Sequence, residues 1–140
     1  MGTKMAPSYA NLFMDRLERK FLEKEPLKPL LWKRYIDDIL CLWIGSRSEL
    51  EHFLERLNNE HPTIKFTWSI SDTQVEYLDL NLFKGERFAT TNLLDLSTHF
   101  KKTNTFQYLH FSSCHPRSVF KGHVRGETIR FIRSNSNKHT

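Results

Sequence analysis

The chain has 140 residues and a formal net charge of +5, with 39% hydrophobic and 13% aromatic residues. This composition excludes an intrinsically disordered chain, and no apolar run approaches the roughly 18 residues of a membrane span. Two cysteines exclude a disulfide scaffold and favour a reducing setting. We therefore expect an intracellular protein, nuclear or cytoplasmic, with no membrane partner.

The first predicted element is an amphipathic helix over residues 7–23. Pro7 suits a first helical position, and the charged residues, Glu18 among them, fill the face opposite the apolar one. Pro26 and Pro29 end the helix. The apolar face is formed at four-residue spacing by Tyr9, Phe13, Leu17 and Phe21.

A strand–turn–strand hairpin is predicted next, over residues 31–44. Its tip is Tyr35-Ile36-Asp37-Asp38, between two apolar runs that favour strands. Two adjacent carboxylates are costly in a crowded site unless they coordinate a cation. Aspartate is also a common turn residue, so a turn without any ligand is the alternative.

A second helix is predicted after Gly45. Ser46 and Glu49 have the spacing of a capping box, and an apolar face follows. Alternating or apolar runs then predict strands at residues 64–70, 75–83 and 88–96. Antiparallel strands with two helices indicate an α+β fold.

The last forty residues change character. Residues 1–100 carry 13 Lys and Arg against 15 Asp and Glu, whereas residues 101–140 carry eight against Glu127 alone. A basic segment with interleaved aromatics favours phosphate contact, and a solvated polar end is the alternative. Two short helices, near residues 117–121 and over 126–133, predict a helix-turn-helix around Gly122. The cations that would contact a nucleic-acid backbone are Arg117, Lys121, Arg125, Arg130 and Arg133.

A zinc site is disfavoured in this region, since the spacing follows no common zinc motif. The residues that would form it are His110, Cys114, His115 and His123.

Four segments, in order, resemble the reverse transcriptase of Penelope-like retroelements, which are relatives of telomerase reverse transcriptase. Met1–Met14 resembles motif B, a glycine turn followed by a helix. Trp32–Trp43 resembles motif C, the metal-binding hairpin. Tyr77-Leu78-Asp79-Leu80 resembles the primer grip, and Leu109–Asn137 resembles the thumb-proximal region.

The resemblance implies a partial polymerase palm at residues 1–100 and a basic, helical thumb-proximal segment at residues 101–140. It implies a fragment of an RNA-directed DNA polymerase, which adds dNTP to a DNA primer on an RNA template by two-metal transfer with Mg²⁺. Asp37 and Asp38 would be the catalytic metal ligands. The residues near the nucleotide and primer would be Tyr35, Ala6, Pro7, Asn11, Tyr77, Leu78 and Asp79.

Two departures from the family pattern matter. The family's Lys-Pro-Thr is Lys101-Lys102-Thr103 here, which loosens that loop. The printed sequence also begins inside motif B, whereas another metal-binding aspartate lies on motif A in the family. We therefore expect the isolated chain not to polymerise. Two alternatives stay open: a nucleic-acid-binding helix-turn-helix remnant without catalysis, and a decayed element without function.

Overall fold

A computed structural model describes residues 4–136, which form a mixed α+β chain with four helices and two small antiparallel sheets. Contacts divide the chain into two compact units, one ending at Trp68 and the other beginning at Ser69. The predicted α+β class is confirmed, while the polymerase palm and the boundary at residue 100 stay predictions. No helix in the described residues is long and apolar enough to cross a membrane. The elements are α1 (Ala6–Lys24), β1 (Leu31–Tyr35), β2 (Asp38–Leu42), α2 (Arg47–Asn59), β3 (Gln74–Tyr77), β4 (Leu80–Phe83), α3 (Phe88–Thr91), β5 (Asp95–Thr98) and α4 (Arg117–Ser134).

The first unit is built around Phe53 of α2, whose side chain is fully buried. Its ring centroid lies 5.1 Å from that of Phe21 in α1, 6.0 Å from that of Trp32 in β1 and 5.1 Å from that of Trp43 after β2. Burying one such side chain stabilises a fold by about 1.5–3 kcal/mol. Phe53 therefore joins both helices to the β1–β2 hairpin. The helices and the hairpin predicted for this unit are confirmed.

The prediction of a strand at residues 64–70 is wrong. Ile64, Phe66 and Ile70 are half-buried as expected, but Trp68 is exposed, and the described chain offers this segment no partner strand. The side chain of Asn58 takes that place. Its Nδ2 donates to the Phe66 carbonyl at 2.9 Å, and the Phe66 amide donates to its Oδ1 at 2.6 Å. A helix side chain thus satisfies both backbone groups of Phe66, which a partner strand would otherwise pair.

The second unit contains the sheet β3–β4–β5. The single strand predicted at residues 75–83 is instead a hairpin, because the chain turns at Leu78 and Asp79. The strand predicted at residues 88–96 is also wrong, since its first half forms the short helix α3. The hydroxyls of Thr90 and Thr91 donate to the Arg87 carbonyl, which favours the helical turn.

The two short helices predicted near the C-terminus are one continuous helix, α4. The helix-turn-helix prediction is therefore wrong for the described residues, while the basic helical segment is present. Gly122 and Gly126 lie inside α4, and a Cβ added at either would meet no atom within 4 Å. An isolated helical glycine costs only about 0.5–1 kcal/mol relative to alanine, which the remaining turns outweigh.

Candidate functional site

The turn between β1 and β2 consists of Ile36 and Asp37, and it is closed by the pairing of Tyr35 with Asp38. Ile36 has a φ of 55°, in the left-handed region that β-branched residues rarely adopt. Such backbone costs about 1–3 kcal/mol and persists only where surrounding contacts fix it. The turn presents Asp37 at its tip and Asp38 at the first position of β2.

Asp37 and Asp38 are both exposed, and neither forms an ion pair or a side-chain hydrogen bond within residues 4–136. Mg²⁺ prefers oxygen ligands and binds through one or two carboxylates while it keeps several waters. The pair therefore fits Mg²⁺. In the described part of the chain no three His, Cys, Asp or Glu side chains are grouped to hold a metal. The remaining ligands would be water, which Mg²⁺ keeps at such sites.

Arg34 is the site residue that the sequence analysis missed. Its Nε donates to Glu18 Oε1 at 2.7 Å, and its Nη1 donates to Asn11 Oδ1 at 2.9 Å and to the Ile36 carbonyl at 3.0 Å. Its Nη2 donates to the Asn11 carbonyl at 3.2 Å. Arg34 thus joins helix α1 to the turn. The available signal was an arginine directly before Tyr35, but Arg34 is one of two adjacent cations in a short strand, and a cation there usually indicates an exposed position.

Glu18 is buried, although it was predicted on the charged outer face of the first helix. Burial raises the pKa of its carboxyl above the ordinary value of 4.5, and the opposing effect of Arg34 is smaller. The Arg34–Glu18 contact is a charge-assisted hydrogen bond, which is stronger than a neutral one. Glu18 therefore anchors Arg34 to α1.

The residues predicted beside the nucleotide lie along the first turns of α1 and at the end of β1. Ala6 and Pro7 are exposed in the first turn of the helix, and Asn11 follows beside Arg34. Tyr35 is 58% exposed. Arg34 therefore brings Asn11 together with the turn. The predicted glycine turn of motif B falls on residues 1–3, outside the described residues.

Tyr77, Leu78 and Asp79 form a second turn of the same kind. Tyr77 pairs with Leu80, and Leu78 has a φ of 56°. The difference is the partner of the carboxylate, because Asp79 Oδ2 lies 3.2 Å from Arg130 Nη2. An open cleft of about 300 Å³ lies here, lined by Asp79, His99, Phe100, Lys101, Thr103, Asn104 and Arg130.

Four of the five predicted phosphate-contacting cations are exposed and form no ion pair within the described ranges: Arg117, Lys121, Arg125 and Arg133. Arg117, Lys121 and Arg125 recur every four residues, so they share one face of α4 at intervals of about 6 Å. Arg130 differs, because it pairs with Asp79 and with Glu127. Arg130 therefore holds α4 to the β3–β4 hairpin.

The histidines considered for a zinc site make other contacts. His110 Nδ1 lies 2.7 Å from the Ser112 hydroxyl, and the His123 ring lies 4.9 Å from the Tyr108 ring.

Comparisons with known proteins add nothing to these observations, since no protein family, no curated protein and no solved structure matches this chain.

Proposed function

We propose that this chain is part of an RNA-directed DNA polymerase of a retroelement, in which Asp37 and Asp38 bind Mg²⁺. The main support for this proposal is the difference between two similar turns, one at Ile36-Asp37 and the other at Leu78-Asp79. Asp79 in one turn is paired with Arg130, whereas the two carboxylates in the other have no counter-charge among the described residues. An uncompensated acidic pair at a strained turn favours a cation site.

The residues around the turn would have distinct roles. Asp37 and Asp38 would supply carboxylate oxygens, and the resemblance puts Tyr35 near the primer end. It also puts Ala6, Pro7 and Asn11 beside the nucleotide and template, and Tyr77-Leu78-Asp79 along the primer. Bound Mg²⁺ would neutralise the triphosphate and lower the pKa of the primer hydroxyl. The partners are an RNA template, a DNA primer and dNTP.

Titration of the chain with Mg²⁺, followed by amide NMR, tests this proposal. We expect shifts confined to the amides around the turn, which Asp37→Asn and Asp38→Asn abolish. Asp72→Asn is the matched control, because Asp72 is an exposed carboxylate in another turn. A wild-type turn that does not respond to Mg²⁺ would refute the proposal.

Primer extension is a separate measurement. We expect none from this chain on an RNA template. The resemblance assigns another metal-binding aspartate to motif A, and motif A is not among the four segments that resemble the family here. Extension by the purified chain that Asp37→Ala abolishes would show that this expectation is wrong.

A second candidate function is binding of a nucleic-acid backbone by α4 without catalysis. The observation that favours it is the exposed face formed by Arg117, Lys121 and Arg125, which have no acidic partner in the part of the chain that the structure describes. Cations of this kind neutralise phosphates and release counter-ions, so binding weakens steeply with salt.

The salt dependence of binding to an RNA–DNA hybrid tests this function. We expect Lys121→Ala/Arg125→Ala to weaken binding and to reduce the slope of log K against log salt by about 2, one for each phosphate contact. Arg16→Ala/Lys28→Ala is the matched control, since it removes two exposed cations outside α4. Equal losses in both double variants would mean that the attraction is diffuse rather than located on α4.

A further inference from the structure

We infer that Arg34 is a positioning residue for the carboxylate pair, an inference that rests on the proposed function of Asp37 and Asp38. Its Nη1 donates to the backbone carbonyl of Ile36, the first residue of the turn, at 3.0 Å. Asp37 is the next residue. Arg34 therefore ties the backbone of the turn to helix α1, through the contacts on its other side.

The helix side of this tie is anchored at two positions. Glu18 accepts from Nε at 2.7 Å, while Asn11 accepts from Nη1 through its side chain and from Nη2 through its backbone carbonyl. The side chains of Arg34 and Glu18 are only 11% and 9% exposed, so water screens the pair little. A guanidinium donates to these acceptors from several N–H groups in a rigid, planar arrangement, which an ammonium group lacks.

The backbone conformation of Ile36 explains why the turn depends on the hydrogen bond from Arg34. A φ of 55° at a β-branched residue persists only when neighbouring contacts fix it. The register pairs Arg34 with Ile39 and Tyr35 with Asp38. Because side chains alternate along a strand, Arg34 and Asp38 lie on opposite faces of the hairpin. Arg34 thus contacts the backbone of the turn from the face of the hairpin opposite to Asp38, and the carboxylate of Asp38 stays free of it.

A simpler role for Arg34 would be that of a counter-ion for buried Glu18. The two roles differ in what a lysine can replace. Arg34→Lys keeps a positive charge beside Glu18 but loses the forked contacts to Ile36 and Asn11. A counter-ion role predicts rescue by lysine, whereas a positioning role predicts none.

The experiment uses Mn²⁺ as a paramagnetic probe of the full chain. We expect Mn²⁺ to broaden the amide signals of Asp37 and Asp38, and Arg34→Lys to need about tenfold more Mn²⁺ for half-broadening. The intraresidue amide–Hα Overhauser effect of Ile36, strong at positive φ, should weaken in the same variant. Arg87→Lys is the matched control, because Arg87 makes a similar fork to Asp95 and to the Leu94 carbonyl.

The outcomes separate this inference from the proposed function. An unchanged Mn²⁺ midpoint in Arg34→Lys, or a changed midpoint with an unchanged Overhauser effect, overturns the positioning role and leaves the metal site standing. A wild-type turn that Mn²⁺ does not broaden refutes the proposed function, and the Overhauser effect then decides alone whether Arg34 holds the turn. Should Arg34→Lys fail to fold, Asn11→Ala removes one acceptor, keeps Glu18 and has the same two readouts.

Discussion

At the scale of single residues, Ile36 adopts the backbone conformation least favoured by its side chain, because it is β-branched and has a positive φ. Ile36→Gly should raise the free energy of unfolding by about 1 kcal/mol. The left-handed backbone costs a side chain about 1–2 kcal/mol, the extra freedom of unfolded glycine offsets part of the gain, and Ile36 is 62% exposed, so little burial is lost. Urea denaturation measures the change.

The control for that substitution is Ile44→Gly. Ile44 is 77% exposed and is not among the residues with positive φ. Glycine there should lower the free energy of unfolding by about 0.5–1 kcal/mol. A loss of stability in both variants would mean that the turn at Ile36 is not strained.

Glu18 gives the stability of the protein a pH dependence. Because burial raises the pKa of its carboxyl above 4.5 in the folded state, its contribution is fully present below the unfolded pKa and is lost as pH rises through the folded pKa. Wild type should therefore lose stability relative to Glu18→Gln as the pH rises above 4.5, the ordinary pKa of this carboxyl. Unfolding in urea at a series of pH values checks this, with Glu23→Gln on the exposed face as the control. A gain in wild-type stability over that range would mean that Arg34 outweighs burial.

At the scale of elements, α4 should gain stability from alanine at either of its glycines. Gly122→Ala and Gly126→Ala should each raise the free energy of unfolding by about 0.5–1 kcal/mol, since the added Cβ meets open space. Circular dichroism during thermal unfolding measures both helicity and stability. Gly45→Ala should do the opposite, because Gly45 has a φ of 155° and its Cβ would lie 2.9 Å from Glu49 Oε2. Reduced helicity in the α4 variants would indicate a turn at those glycines.

Elements defined by near neighbours were predictable, and elements defined by distant partners were not. The capping box of α2 involves residues three apart, and Ser46 and Glu49 form both of its hydrogen bonds. Leu78 shows the limit, since it continues the alternation of a strand but lies in a turn that normally favours glycine. Arg34 shows the same limit, because its partners Glu18 and Asn11 lie 16 and 23 residues away in the sequence.

At the scale of the whole molecule, the two units differ in whether they bury hydrophobic side chains. Among the described residues, the buried hydrophobic side chains all belong to the first unit: Leu17, Phe21, Leu40, Phe53, Leu54 and Leu57. In the second unit the buried side chains are Asp95 and Ser134. Asp95 pairs with Arg87 at 2.6 Å, so this unit depends more on polar contacts. Ion pairs and hydrogen bonds with an exposed partner add little stability compared with apolar burial.

Hydrogen exchange should therefore be faster in β3, β4 and β5 than in β1, β2 and α2, because opening the second unit exposes less apolar surface. Mass spectrometry of peptides from the intact chain measures this directly. Leu57→Ala is the control for sensitivity, since truncating a buried leucine costs about 2–5 kcal/mol and should speed exchange in the first unit. Equal protection in wild type would mean that the polar contacts around Asp95 stabilise one unit as much as the packing around Phe53 stabilises the other.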